Sequence, residues 1–354
     1  AVEMREVRLP LRRPFVATHG VESERSVILV RIQTDGAVGW GECSALSLPS
    51  YTEEWLQGAW LVLEELLLPG IQLGEVPTIV GNPMARTAVE MALLDARLKS
   101  AQISLASHLG ATKSEVPVGA VIGLMPNEAS LAAEVERAVE AGYRRIKLKV
   151  APGSARRTVE LAREIAGSEM PLFVDANGAF DRTGMAELCA LEELAVALIE
   201  QPFGADEIGL HADLASKTST AICLDESLRS VVQTREALVA GACSVVCLKA
   251  PRLGGYERAL EAHDIAREYG ADCWVGGMLD TSLARAANAA VAALPGCSSA
   301  SDLSSPENLL AADIAAPVLI SNGYARVPTQ PGIGVEMDED AIKKFTVRSS
   351  SVRP

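Results

Sequence analysis

The stretch RRIKLKV, residues 144–150, decides the fold, because the pattern it opens then repeats down the chain. It is a short apolar run that closes on a charge, Lys149. Runs of the same kind follow at PLFVDAN (171–177), VALIEQP (196–202), AICLDES (221–227), SVVCLKA (244–250), DCWVGGM (272–278) and SSASDLS (298–304). Their marker residues, Lys149, Asp175, Glu200, Asp225, Lys249, Gly276 and Asp302, are separated by 26, 25, 25, 24, 27 and 26 residues. A strand, a loop and a helix together take about that length, so the period predicts a (β/α) barrel. Barrel strands all end in one mouth, where residues distant in sequence converge.

Working outward, VPVGAVIGL (116–124) supplies one more strand ahead of the repeat, making eight. A helix bearing Leu131, Val135 and Ala138 links it to RRIKLKV and ends near Gly142. After the eighth strand no long amphipathic helix follows. Instead GYARVPTQPGIGVEMDED (323–340), rich in Gly and Pro, reads as an irregular return toward the start of the chain. Residues 1–115 do not share the period: VILVRIQT (27–34) and VGWGEC (38–43) alternate as antiparallel strands do. Two apolar-rich helices follow near 53–67 and 84–99, the second placing Ala88, Met91, Ala92 and Asp95 on one side. The expected organisation is an α+β unit over 1–115, a barrel over 116–310, and a return over 311–354 packed on the first unit.

The chain has 354 residues and is 49% hydrophobic, enough to bury a large core. Its formal charge of −14 argues against nucleic acid or an anionic membrane as partner. No run of apolar residues is long enough to span a bilayer, and AVEMREVRLPLRRPF at the start lacks the apolar core of a secretory signal. Seven cysteines without a CxxC pair read as reduced thiols in a cytoplasmic protein, several of them (Cys223, Cys243, Cys247, Cys273) in or beside strands. The four histidines show no ligand spacing that would suggest zinc.

The strand ends carry the chemistry. Asp175, Glu200 and Asp225, on consecutive strands, would offer hard oxygen ligands to Mg²⁺. Singly each acid is a plausible cap or loop residue; three in register repel one another unless a cation lies between them. Lys147 and Lys149 form K-x-K on one strand and therefore share a face. Adjacent ammonium groups depress each other's pKa, which would make a lysine a usable base. Lys249 stands across the ring from Lys149, so the two address opposite faces of a substrate. Arg252, three residues on, either reaches the mouth or salt-bridges a neighbouring loop. Asn177 shares the face of Asp175, as a spare ligand or a donor to one, whereas Glu226 should point away from Asp225 and support rather than ligate. The Gly254-Gly255 pair reads most simply as a turn.

On these residues the chain resembles the enolase superfamily, of the muconate-lactonizing-enzyme type, and is similar to the o-succinylbenzoate synthase / N-acylamino acid racemase family. The matching motifs are KLK (147–149), DAN (175–177), EQP (200–202), DES (225–227), LKAPRLGG (248–255), GGMLDT (276–281) and DLSSPE (302–307). GWGE (39–42), AVEMALLDA (88–96) and P-x-x-P-G-x-G-V-E (328–336) extend the resemblance over nearly the whole chain. It implies an N-terminal α+β capping domain on a (β/α)₇β barrel. It also implies Mg²⁺, with Mn²⁺ as a substitute, holding a small carboxylate substrate while a lysine removes the proton α to the carboxylate. Gly276, Gly277 and Met278 would line the site, and the loops around Ala17–Val21 and Ser47–Tyr51 would set specificity. A homo-oligomer is left open.

Among relatives, mandelate-racemase-like enzymes place a His where this chain has Gly276-Gly277-Met278, and dipeptide epimerases carry D-x-D where it has Asp302-Leu303-Ser304. Muconate cycloisomerases share the two lysines, but PRLGG after Lys249 is closer to the synthase/racemase pattern. Two activities remain. One is syn-dehydration of 2-succinyl-6-hydroxy-2,4-cyclohexadiene-1-carboxylate to o-succinylbenzoate, a menaquinone step; the other is racemisation of N-acylamino acids. The dehydration is the expected primary activity. A non-enzymatic binding barrel would have been free to lose these charges, and this chain has kept them all.

Overall fold

The computed structural model describes residues 1–17, 20–303 and 309–352, without the side chains of 15–17 and 20. Two expected features therefore lie wholly or largely outside the described residues: the loop around Ala17–Val21 and the part of DLSSPE beyond Leu303.

The chain opens with an antiparallel meander, β1 (Val2–Ala17), β2 (Gly20–Gln33) and β3 (Val38–Cys43). Helical segments follow at Leu56–Val62, Leu63–Leu67 (a π turn) and Leu68–Gln72, running beyond the expected end at 67. The helix Pro83–Ala101 lies across β3 so closely that a Cβ at Gly39 would sit 1.9 Å from the Ala92 carbonyl oxygen, and one at Gly41 1.9 Å from that of Ala88. GWGE and AVEMALLDA are thus two sides of one contact that only glycine permits. Asp95 on this helix accepts the backbone N–H groups of Trp40 and Ile333, both at 2.9 Å, tying β3 to the PGIG tail.

The barrel departs from expectation at its start. VPVGAVIGL is two strands: β4 (Glu115–Pro117) and β5 (Ala120–Ile122). Between them the chain changes partners: Val118 N–H donates to Gly323 O, Gly119 N–H to Ser301 O and Ala120 N–H to Arg145 O, each at 2.9 Å. Gly119 also leaves room for the Arg145 guanidinium, whose carbon would lie 2.5 Å from a Cβ there. Then come β6 (Ile146–Lys149), β7 (Leu172–Asp175), β8 (Val196–Glu200), β9 (Ala221–Leu224), β10 (Val245–Leu248) and β11 (Asp272–Val275). From β5 to β11 they pair in parallel in sequence order. The eighth strand shrinks to a bridge between Val118 and Ser301. Asp302 N–H donates to Val275 O (2.9 Å) on one side, and Ser301 N–H to Pro117 O (3.0 Å) on the other, which closes the ring. Ser301 Oγ also takes the Val275 N–H at 3.0 Å, a side chain replacing a rung of the ladder.

Beyond the bridge, β12 (Ile320–Ser321) and β13 (Tyr324–Arg326) form a small antiparallel sheet with β4. The helix Glu339–Phe345 leads into β14 (Thr346–Val352), which pairs with the outer edge of β1. That last strand is absent from the sequence reading, which saw the irregular return but not where it ends.

Side-chain alternation explains the site. Ile146, Leu148, Val174, Ile199, Leu224, Val246, Leu248 and Val275 face outward into the main core with the surrounding helices. Phe173, Leu198, Cys223, Cys247 and Trp274 face inward and form the barrel floor, together with Val245. Two residues beyond five of these come Asp175, Glu200, Asp225, Lys249 and Gly276, on the same face and one layer higher. All seven cysteines are unpaired. Among the described residues no helix is long and apolar enough to cross a membrane.

Candidate active site

The layer above the floor is a dense alternation of acids and bases, almost wholly buried. Lys147 donates to Asp302 (2.7 Å) and Glu200 (2.9 Å), lies 3.3 Å from Asp175, and sits over the Trp274 ring at 4.6 Å. Lys149 donates to Asp175 (2.6 Å) and to the Asn177 amide oxygen (2.5 Å). Across the ring, Lys249 donates to Asp225 (2.7 Å) and to the Tyr51 hydroxyl (2.8 Å). The two lysines thus stand on either side of the Asp175–Glu200–Asp225 row, Lys149 on Asp175 and Lys249 on Asp225.

Arg252 reaches the mouth, resolving the two readings of its position. Its guanidinium binds Asp225 and donates to the Tyr51 hydroxyl at 3.1 Å, while its remaining nitrogens are fixed by the carbonyls of Leu228 and Cys247. Asn177, in a left-handed conformation (φ 44°), donates its amide N–H to Glu226 at 2.8 Å. Glu226, just beyond β9, therefore reaches across toward the end of β7, in contact with Asn177, a neighbour of Lys149, rather than with Asp225. Gly276 has a steric role. A Cβ there would lie 2.5 Å from Lys249 Cε and 2.6 Å from Cys247 Sγ, so the room that a histidine would need is taken by Lys249. At Gly277 the nearest atom to an added Cβ is Asp302 O at 3.1 Å, and Met278 is buried in the core of the N-terminal unit.

Electrostatics correct one sequence argument. Mutual repulsion was expected to depress the K-x-K pair; burial does push Lys147 down, but Asp302, Glu200 and Asp175 outweigh it and hold its pKa above the ordinary lysine value. Lys147 is a fixed positive charge. Lys249 is likewise held high, burial being overcome by Tyr51, Cys247, Glu226 and Glu200. For Asp175 burial is the largest influence and would raise it, but Lys149 and Lys147 together bring it below the usual carboxylate range. Glu200 goes the other way, pushed up to about 7 by burial and by the neighbouring Asp175 charge. Its Oε1 is buried without a hydrogen-bond partner.

An orphaned carboxylate oxygen at the centre of an acidic ring fits a cation. Glu200, Asp225 and Cys247 offer ligand atoms that all lie within 4.8 Å of one another. Asp175 stands beside this group, linked to Glu200 through the shared ammonium of Lys147. The oxygen-rich set matches a hard divalent ion, with a soft sulfur at its edge.

Sequence reasoning missed several contributors. Asp302 was marked by the period but given no role; it binds Lys147 and takes Arg145 at 2.8 Å, whose guanidinium stacks over Phe173 and Trp274. Gln201, in EQP, fixes DES: its Oε1 accepts the N–H groups of Asp225 (3.0 Å) and Ser227 (3.2 Å). Cys247 was seen only as a buried thiol, although its place two residues before Lys249 puts it on the inner face. Tyr51 lay at the end of a loop expected to set specificity, and it is the hydroxyl that bridges Lys249, Asp225 and Arg252.

Residues 1–110 match the family described as mandelate racemase / muconate lactonizing enzyme, N-terminal domain, and residues 130–341 match the enolase C-terminal domain-like family. The chain belongs to the enolase superfamily. It is 38% identical to the N-succinylamino acid racemase of an Amycolatopsis species, over 98% of this chain and 96% of that one. It is 37% identical to the o-succinylbenzoate synthase of Bacillus subtilis over the same shares. A solved enolase-superfamily structure from Listeria innocua superposes with a TM-score of 0.93 at 35% identity, covering 99% of this chain and 97% of the other. Superfamily membership makes the chain an enzyme of a kind that uses a divalent metal, and the carboxylate-rich group of Glu200 and Asp225 could hold one.

Proposed function

We propose that this enzyme removes the proton α to a substrate carboxylate, and that its primary reaction is dehydration of 2-succinyl-6-hydroxy-2,4-cyclohexadiene-1-carboxylate to o-succinylbenzoate. The observation that carries the reading is the opposition of Lys149 and Lys249 across the Glu200–Asp225 centre. Asp175, Glu200 and Asp225 would hold Mg²⁺, which when bound supplies Lewis-acid neutralisation of the substrate carboxylate and draws these acids away from the lysines. Lys149, on the Asp175 side, takes the α-proton and returns it to the departing hydroxide, so that water leaves from one face. Lys249, held by Asp225 and Tyr51, places a positive charge beside the developing enediolate. Lys147 stays protonated and keeps Glu200, Asp302 and Asp175 in place.

Racemisation of N-succinylamino acids is the second reading, favoured by the same opposition and by the similarity to a racemase. There Lys149 takes the proton from one face and Lys249 delivers one to the other, with the roles exchanged in the reverse direction. The test is kcat/KM for both substrates on the purified protein with Mg²⁺, repeated after EDTA. Turnover of either substrate that disappears with EDTA supports the reading; no turnover of either, or turnover indifferent to chelation, overturns it.

A further inference from the structure

AVEMALLDA contributes Asp95 to the internal scaffold of the N-terminal unit, but Glu90 of the same helix faces the barrel. Its Oε1 accepts the backbone N–H groups of both Tyr256 and Glu257, each at 3.1 Å. These are the first two residues of the barrel helix Tyr256–Glu268, whose own preceding residue, Gly255, has no side chain to cap it. A Cβ at Gly255 would fall 1.4 Å from Glu90 Oε2, and Gly255 holds φ 140°. The carboxylate of one unit thus occupies the space a capping side chain would take in the other.

What precedes Gly255 is the turn that bears the second lysine. Lys249 starts the short helix Ala250–Leu253, which carries Arg252, and the N–H groups of Gly254 and Gly255 both return to Ala250 O at 3.0 Å. The turn is therefore fixed at one end by β10 and at the other by the capped start of Tyr256–Glu268. Thr87, one helical turn before Glu90 and fully buried, sets its hydroxyl 3.3 Å from Ala250 O and 3.4 Å from Pro251 O.

We infer that Glu90 is a positioning residue for Lys249 and Arg252: by capping the barrel helix from the N-terminal unit, it fixes the turn that presents them to the substrate. This rests on the proton-transfer reading above. Glu90 touches no reacting atom, and its effect is transmitted through backbone. Among the described residues Lys149, on β6 at the other side of the ring, has no such connection, so loss of the cap should spare it. A misplacement of about 1 Å in a reacting group can cost on the order of 100-fold in rate, so even partial loss of the cap is visible in kinetics.

The experiment compares Glu90→Ala and Glu90→Gln with the wild type, at a temperature where circular dichroism shows all three folded. Glutamine keeps an acceptor oxygen for the two N–H groups; alanine does not. The probes are the dehydration substrate, for kcat and KM, and the two enantiomers of N-succinylphenylalanine, for exchange of the α-proton in D₂O. The expected result is a kcat about tenfold or more lower in Glu90→Ala at little-changed KM, with recovery in Glu90→Gln. Where both enantiomers exchange in the wild type, Glu90→Ala should slow the one whose exchange is lost in Lys249→Ala and spare the one lost in Lys149→Ala. A Glu90→Ala protein with a lower Tm but wild-type kcat, or with both exchanges slowed equally, overturns the inference and leaves a structural cap. A wild-type protein inert toward both substrates removes the proton-transfer reading itself, and the inference with it.

Discussion

Gly276→Ala adds one methyl group to the strand end facing Lys249, and the structure fixes what it must do. The new Cβ would sit 2.5 Å from Lys249 Cε, where ordinary van der Waals contact begins near 3.4 Å, and 2.6 Å from Cys247 Sγ. Cys247 is packed into the floor and cannot retreat, so the end of strand β11 must shift to clear its Sγ, and the end of the lysine chain must give way as well. Lys249 therefore moves by about 1 Å, away from its contacts with Asp225 and Tyr51, and that shift is worth on the order of 100-fold in kcat. Gly276 is absent from the positive-φ glycines, so backbone strain does not contribute. Overpacking should cost no more than about 1–3 kcal/mol of stability, which leaves the protein folded. The assay is steady-state turnover of the dehydration substrate, with a urea titration as control. Gly277→Ala serves as comparison, because its added Cβ meets nothing closer than 3.1 Å. A Gly276→Ala enzyme with kcat within twofold of wild type would refute the assignment of Gly276 as the residue that makes room for Lys249.

Asp175→Asn, Glu200→Gln and Asp225→Asn should each weaken Mg²⁺ binding about tenfold or more in calorimetric titration while the barrel stays folded; wild-type affinity in all three would dispose of the carboxylate centre. Lys249→Arg keeps the charge beside the enediolate but cannot give up a proton, so dehydration should persist in part while racemisation disappears in both directions; retained racemisation would show that Lys249 does not move the proton. Glu42, on the GWGE strand, accepts Thr281 N–H and hydroxyl and is pushed up to about 7 by burial and by Asp280. Its folded-state pKa lies above the unfolded one, so its contribution to stability is full below about 4.5 and is lost as pH rises through about 7. The loss of wild-type stability between pH 5 and 8 should therefore shrink in Glu42→Gln, by of the order of 1–3 kcal/mol in urea unfolding; an identical pH slope in the two proteins would contradict it.

The barrel and its charged layer were legible because four consecutive strand ends, β7 to β10, repeat the same short grammar: an outward residue, a floor residue, then a charged residue two positions on. What the period could not show was where a strand fails. VPVGAVIGL changes partners between Val118 and Ala120, and at Ser301 a hydroxyl takes the place of a ladder rung, so the eighth strand is a bridge. Nor can spacing show which charges meet. Lys147 looked like a partner to Lys149, but the side chains of three different strands converge on it and fix it as a cation. The pairing of Asp302 with Arg145 escaped notice because it crosses the closure of the ring, between the chain's eighth and second strand positions. Glu42, Glu90 and Tyr51 come from the N-terminal unit, and motifs there declare a family without declaring which barrel loop each residue will touch.

The central claim is that Lys149 takes the α-proton of a carboxylate substrate. The most direct measurement is NMR of α-proton exchange in D₂O with Mg²⁺ present, for the wild type and for Lys149→Ala, using both enantiomers of an N-succinylamino acid. The account predicts exchange in the wild type and its complete loss in Lys149→Ala for at least one enantiomer. Undiminished exchange of both enantiomers in Lys149→Ala would mean that another group is the base.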